Sequence, residues 1–440
     1  MEFRPLTVSE LPRVAMVSTH GYVAARPPLG ASDTGGQVVY VLELSKKLAD
    51  LGYELDIWTR RFEDQPEIEP VSEQVRIIRV PCGGGKFIPK EYLYEHLREW
   101  TANALRFIDQ HGLQYEFIDS HYWDAGIAAQ VMSESLGVPH VHTPHSLGLW
   151  KKRQMEADYP GERARLEREY NFSNRICHER RIYSSADLIL ATSGTQKRLL
   201  LEDYQAPRSR CRMLPPGYNA ERFFPVSQSC REAIRRRLGF VRPVVMAIGR
   251  LALNKGYDLL IRAFEFVARR LPEITLYLAV GGAKRDSSEE KLLTELRDLT
   301  LQLGLKDRIR FGNFVPDGEL ADYYRAADVF VLSSRYEPFG MTALEAMACG
   351  TPVVMTTQGG FHRAVRFGSH ALYADPFDHE ELGVMIMEII RHARIRSALS
   401  RLGAQMARKR YAWSHIASRL QAMAGEVSRP KVCHSGTGCA

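Results

Sequence analysis

Short apolar runs alternate with longer stretches of helical period along nearly the whole chain, and the alternation is broken once. The first series comprises 13–19 (RVAMVST), 54–59 (ELDIWT), 75–80 (VRIIRV), 115–120 (YEFIDS), 138–143 (VPHVHT), 187–193 (DLILATS) and 211–217 (CRMLPPG). Helical candidates fall between them at 36–51, 91–110 and 125–136, with a charged helical stretch over about 160–186. Apolar runs this short fit strands buried on both faces, and intervening helices supply the crossovers that parallel strands need. The pattern predicts an α/β fold with a mainly parallel sheet. Pro215, Pro216, Gly217 and the polar patch 218–228 (YNAERFFPVSQ) interrupt it. It restarts at 243–250 (PVVMAIGR), 274–282 (ITLYLAVGG), 308–313 (RIRFGN), 328–334 (DVFVLSS), 351–357 (TPVVMTT) and 370–375 (HALYAD). Two doubly wound domains are therefore expected, over 1–217 and 218–411. A helix near 412–426 could pack back on the first, and 427–440 reads as a flexible tail. Such sheets bind ligands beyond the carboxyl ends of their strands, so the site is expected in the cleft between them.

Bulk properties narrow the function classes without choosing one. At 440 residues, with 45% hydrophobic and 25% charged, the chain has an ordinary globular balance. Its net charge of +7 comes from scattered basic residues, apart from a short cluster at Arg235, Arg236 and Arg237. Small anionic ligands are favoured over nucleic acid or a membrane surface, a solvated surface being the plain alternative. The seven cysteines (82, 177, 211, 230, 349, 433, 439) are odd in number and show no C-x-x-C spacing. Reduced thiols are expected, not a disulfide framework or a zinc site. The first residues lack the apolar core of a secretory leader, and no stretch approaches the roughly 20 apolar residues of a membrane helix. A cytoplasmic protein without membrane or nucleic-acid partners is expected.

Four segments carry chemistry. In 31–52 (ASDTGGQVVYVLELSKKLADLG), Gly35 and Gly36 open a helix, so an anion could reach amide groups at the positive end of the helix dipole. The loop is neither G-x-G-x-x-G nor a Walker loop, and a glycine-assisted turn would read the same. In 249–264 (GRLALNKGYDLLIRAF), Arg250 ends a strand and Lys255 precedes a helix, placed to grip one anion from two directions. An arginine fork with a lysine point charge suits a diphosphate; a solvated loop is the alternative. In 142–154 (HTPHSLGLWKKRQ), His145, Lys151 and Lys152 fall in a loop after a strand, where a histidine is either a structural hydrogen-bonder or a catalytic group. In 334–354 (SRYEPFGMTALEAMACGTPVV), Glu337 precedes Pro338 and should be extended, while Glu345 lies in the second turn of an apolar helix. A carboxylate among Ala343, Leu344, Ala346 and Met347 is costly unless a side chain or a ligand satisfies it.

Taken in order, DTGGQ (33–37), HSLGLWK (145–151), GRLALNKG (249–256) and EPFGMTALEAMACGTPVV (337–354) closely resemble retaining nucleotide-sugar glycosyltransferases of the GT-B fold. The likeness is to the branch that includes sucrose-phosphate and mannosylfructose-phosphate synthases. It runs from about Arg13 to the 410s, through FIPKEYL (87–93) and SHYWDAGIAAQ (120–130), and leaves out the tail after about Val427. The resemblance implies two Rossmann-like domains facing a cleft. It places Glu345 on the donor ribose, and Glu337 on the donor sugar beside the backbone N–H groups of Phe339, Gly340 and Met341. By the same resemblance Arg250 and Lys255 bind the diphosphate, Gly36 the donor phosphates and His145 the donor sugar. Lys90, Lys151 and Arg175 would hold an acceptor phosphate, with Gly35 and Gln37 lining that site. No pair of carboxylates suggests a covalent intermediate, so front-face displacement is implied, the leaving phosphate taking the acceptor proton. No D-x-D signature is present, so no metal or other cofactor is expected, Arg250 and Lys255 standing in for the cation. Likeness outside the shared motifs, at 59–67 (TRRFEDQPE) and 87–100 (FIPKEYLYEHLREW), favours GDP-mannose as donor. The acceptor would be fructose 6-phosphate, and the product would pass to a phosphatase. The alternative is UDP-glucose and sucrose phosphate. Rivals of other classes are a binding protein without turnover and a nucleotide-sugar epimerase, which needs no acceptor-phosphate clamp.

Overall fold

The computed structural model describes residues 11–28, 31, 33–240, 243–282, 285 and 287–427. Two sheets organise them. The first holds β1 (Arg13–Val17), β2 (Glu54–Arg61), β3 (Ile68–Pro70), β4 (Val75–Pro81), β5 (Phe117–His121), β6 (His140–Thr143), β7 (Leu188–Ala191) and β8 (Cys211–Met213). Their order is β3-β4-β2-β1-β5-β6-β7-β8, parallel except where β3 runs antiparallel to β4 at the edge. The second holds β9 (Val244–Gly249), β10 (Thr275–Val280), β11 (Ile309–Gly312), β12 (Val329–Leu332), β13 (Val353–Thr356) and β14 (Leu372–Ala374). These are all parallel, in the order β11-β10-β9-β12-β13-β14. Helices cover both faces, so strands such as VFVL in β12 and VVMT in β13 are buried throughout.

Several elements differ from the sequence reading. β3 is too short for a periodic signal and ends in Pro70, which an edge strand tolerates. The helix expected over 91–110 begins at Leu97, after a 3-10 turn at Leu93–His96. The charged stretch 160–186 contains two helices, Arg163–Tyr170 and Phe172–Ser185, parted at Asn171, whose φ of 48° is left-handed. The loop assigned to Lys151 and Lys152 is instead a helix, Gly148–Asp158. Its sequence is polar on most faces. Its first amides are satisfied from outside, Gly148 N–H by the Glu179 carboxylate at 3.0 Å and Leu149 N–H by the Tyr204 hydroxyl at 2.9 Å. Partners that distant leave no local mark.

The chain crosses between the sheets twice, side by side. Tyr218 N–H donates to Tyr411 O at 2.8 Å and Trp413 N–H to Tyr218 O at 3.3 Å. The helix Trp413–Val427 then buries Trp413, Ile416, Ala417, Leu420 and Ala424 in the core of the first sheet. Trp413 sits edge-on to Tyr40 at 5.0 Å, and a Cβ on Gly217 would come within 2.6 Å of its ring. Two members of the basic cluster are engaged in ion pairs, Arg235 with Asp328, which Arg231 also binds, and Arg237 with Asp322, while Arg236 is exposed. Cys82, Cys177, Cys211, Cys230 and Cys349 are free thiols; Cys433, Cys439 and the expected tail lie outside the described residues, apart from Val427, which ends the last helix. Among the described residues no helix is long and apolar enough to cross a membrane.

Candidate active site

Between the carboxyl ends of β1 and β9 lies a cavity of about 520 Å³, walled by Gly35 and Gly36 on one side and by Arg250, Met341 and Glu345 on the other. Two helices begin there. Gly35 precedes the helix Gly36–Ala49, Gly340 precedes Met341–Ala348, and neither start carries a side-chain cap. First-turn amides without partners make each start a positive pole, and the two meet at one cavity. A Cβ on Gly36 would stand a tight 3.3 Å from Met341 Sδ, whereas one on Gly35 would make only ordinary contact with Arg250 Nε at 3.6 Å. Gly340 is fixed by its φ of 109° and by Leu332, 2.8 Å from where a Cβ would stand. The Phe339 ring belongs to the core, packed on Phe361 and Tyr411, so only its backbone can face a ligand.

Arg250 and Lys255, expected on one anion, have different contacts in the free protein. Arg250 is exposed on the cavity wall, whereas Lys255 Nζ donates to Glu337 Oε2 at 2.5 Å, an oxygen that also faces Ser334 Oγ at 3.3 Å. Glu337 is extended, as its place before proline requires, and pairs with Gly359 as an isolated bridge. Glu345 is buried and accepts the Tyr324 hydroxyl at 2.9 Å. Burial pushes its carboxyl up to about 7, against the pull of the Tyr324 hydrogen bond and of Arg222. Of the two answers foreseen for that glutamate, the structure shows the first: a side chain satisfies one oxygen, and the carboxylate borders the cavity.

Around His145 stand two further histidines that the motifs did not mark, His121 and His20. His145, held at φ 58°, faces His121 Nδ1 through its Nε2 at 3.0 Å and stands edge-on to Tyr40 at 4.8 Å. Burial pushes His145 down to about 3, so the ring is neutral. Burial also opposes charge on His20, but Asp124, 2.9 Å away and bonded to Thr19 as well, raises its pKa. Gln37 is braced by Ser18 Oγ at 3.2 Å and His121 O at 3.1 Å.

In the same half of the chain Lys90, Lys151 and Arg175 converge. Lys90 pairs with Asp33 and, at 3.0 Å, with Glu91. Arg175 is buried: Nε donates to Glu179 at 2.8 Å, Nη1 to Tyr122 at 2.6 Å, and Nη2 to Ser146 O at 2.9 Å and Ser146 Oγ at 2.8 Å. Lys151 forms no ion pair with a described residue and lies over the Tyr170 ring at 3.9 Å. Burial, then the fields of Lys90 and Arg175, push it down to about 7. Lys152 stands off the cluster and reaches Glu167 at 3.4 Å. Asp33, Tyr122 and Ser146 do not show in the sequence as site residues, because each is defined by a partner dozens of positions away; Glu179 lies one helical turn from Arg175 on the same helix.

Residues 231–406 match the family described as glycosyl transferases group 1, and residues 34–222 match glycosyltransferase family 4. The chain is 58% identical over 412 residues to mannosylfructose-phosphate synthase of Agrobacterium fabrum, covering 94% of this chain and 91% of that one. The protein is a group 1 glycosyltransferase. A further relative, D-inositol 3-phosphate glycosyltransferase of Corynebacterium urealyticum, is 33% identical over 93% of this chain and 94% of its own. Among solved structures, sucrose-phosphate synthase from Thermosynechococcus elongatus superposes with a TM-score of 0.83 at 28% identity, covering 94% and 99% of the two chains. The glycosyltransferase thus has the GT-B architecture, with its cavity in the interdomain cleft expected from the alternation of strands and helices.

Proposed function

We propose that the enzyme is a retaining hexosyltransferase that moves mannose from GDP-mannose to fructose 6-phosphate, forming mannosylfructose phosphate. The observation that carries the acceptor is the crowding of Lys90, Lys151 and Arg175, with Lys151 in no ion pair among the described residues. Like charges this close call for a bound anion of more than one charge, which a sugar phosphate supplies. The relative named for mannosylfructose phosphate supports the product and, through it, the donor.

In this reading residues 218–411 hold the donor, and residues 1–217 with the helix Trp413–Val427 hold the acceptor. The amides at the two helix starts, including Gly36, Phe339, Gly340 and Met341, receive the diphosphate, and Glu345 takes the ribose hydroxyls. Lys255 leaves Glu337 for the diphosphate and joins Arg250 in stabilising the charge that grows as the glycosidic bond breaks. Glu337, released, accepts hydrogen bonds from the donor sugar, and neutral His145 meets the same sugar through Nδ1, its Nε2 being engaged by His121. Gly35 and Gln37 line the acceptor side. The departing phosphate oxygen takes the acceptor's hydroxyl proton on the face it leaves, so the α configuration is kept. No metal is called for. The enzyme acts in the cytoplasm, and its product goes on to a phosphatase.

A second reading, UDP-glucose giving sucrose phosphate, is favoured by the structural likeness to sucrose-phosphate synthase. Purified protein given fructose 6-phosphate with GDP-mannose, UDP-glucose or ADP-glucose in separate tubes decides between them by NMR of the anomeric proton. An α-mannosyl product from GDP-mannose alone is expected. Preference for UDP-glucose would install the second reading, a β product would overturn retention, and free fructose serving equally well would remove the phosphate site. No product in any tube would leave a binding protein.

A further inference from the structure

One side chain from the donor half reaches across the cleft into the acceptor half. Tyr336, between β12 and the helix Met341–Ala348, is 6% exposed and sets its ring edge-on against Trp150 at 4.6 Å. Its hydroxyl faces the Ser146 side chain, the Leu147 backbone N–H and the Arg175 guanidinium, with Tyr122 close by. It makes no hydrogen bond of good geometry with any described residue. The neighbours explain why. Leu147 N–H, the Arg175 guanidinium and the Ser146 hydroxyl all turn protons toward it, and the Ser146 and Tyr122 oxygens already accept from Arg175, so the group is crowded with donors. Lys151, another donor, borders the same cavity of about 390 Å³ as Tyr336. A buried phenol among donors keeps its own proton to give, and what the group lacks is an anionic oxygen.

We propose that the Tyr336 hydroxyl donates to the phosphate of the acceptor sugar, so that the phosphate site is completed by a residue of the opposite half. The inference rests on the sugar-phosphate reading above and deepens it. Tyr336 adjoins Glu337, whose carboxylate holds Lys255, so a phosphate bound on one side of the cleft fixes the segment that carries the donor-side pair on the other. An unphosphorylated sugar cannot bridge the two halves in this way.

Tyr336→Phe keeps the ring on Trp150 and removes only the hydroxyl. Losing one charge-assisted hydrogen bond should raise the KM for fructose 6-phosphate about tenfold or more, and lower the preference for fructose 6-phosphate over fructose by the same factor. The KM for GDP-mannose should stay within about twofold. Inorganic phosphate should compete with the acceptor in the parent enzyme and about tenfold less well in the variant. Because the hydroxyl gives its proton to no described residue in the free protein, the variant's Tm should be little changed. An unchanged acceptor KM, a fall in kcat alone, or a Tm lowered by several degrees would each overturn the proposal. If the parent enzyme has no preference for phosphorylated acceptor, the functional reading fails first and takes this inference with it.

Discussion

Glu345→Gln separates what this carboxylate costs the fold from what it gives a ligand. In the free protein burial raises its pKa from 4.5 to about 7, although Tyr324 and Arg222 pull the other way. The folded-state pKa therefore lies above the unfolded one. The stability this group contributes is fully present below about pH 4.5, declines as the pH rises through about 7, and is gone above it. A gap of roughly 2.5 pH units corresponds to about 3 kcal/mol. Glutamine has the same shape and still offers an oxygen to the Tyr324 hydroxyl at 2.9 Å, but has no charge to bury. At pH 8 the ligand-free variant should be more stable than the parent by up to about 3 kcal/mol, or roughly 6–12 °C in the melting of the donor half. The difference should shrink steadily toward pH 5. If the carboxylate takes the ribose hydroxyls as proposed, the same substitution removes an ionised acceptor, and donor affinity at pH 8 should fall about tenfold to a hundredfold. The parent's donor affinity should itself weaken below pH 7, where the carboxyl is protonated. Thermal unfolding of both proteins from pH 5 to 8.5, with donor titrations at the ends, measures both effects. A stability gap independent of pH, or donor binding undiminished in the variant, would refute the reasoning.

Lys255→Ala and Arg250→Ala should each lower kcat about a hundredfold, the scale for losing a transition-state donor; affinity lost at full turnover would point to uniform ground-state binding. EDTA should leave activity intact, and loss restored by a divalent ion would refute the cationic role given to these two residues. Acceptor binding above pH 7 should take up a proton at Lys151, whose pKa of about 7 rises when a phosphate arrives. Calorimetric heats that depend on the buffer's ionisation enthalpy would reveal it; heats equal in all buffers would argue against it. Trp413→Ala should cost about 3–5 kcal/mol and free the last helix from the first sheet. Denaturant titration with hydrogen exchange over 413–427 reads both effects.

What the sequence discloses and what it withholds divide along sequence separation. Strands such as β9 and β12 are buried on both faces, so their residues are apolar without interruption and can be read directly. Glu345 can be read as well, because a charge in an apolar helix contradicts its own surroundings. The edge strand Ile68–Pro70 and the helix Gly148–Asp158 cannot, since one is too short to be periodic and the other owes its start to Glu179 and Tyr204. The same limit applies within the site. Spacing brings Arg250 and Lys255 near one strand end, but it cannot foretell that Glu337, 82 positions on, takes Lys255 for itself. Nor does it mark Tyr336, whose neighbours Ser146 and Arg175 belong to the other half of the chain.

These long-range pairs also bear on how ligands enter. In the free protein Lys255 rests on Glu337, and Lys90 rests on Asp33 and Glu91, so most of the site's positive charge is already neutralised. An incoming anion must replace a partner, and only one that carries more charge than the carboxylate it displaces gains by doing so. A diphosphate and a sugar phosphate meet that condition; a neutral sugar does not. In the proposed reading, selectivity for charged substrates rests on these resting ion pairs, and Lys151, with no such pair among the described residues, would meet the acceptor's charge first.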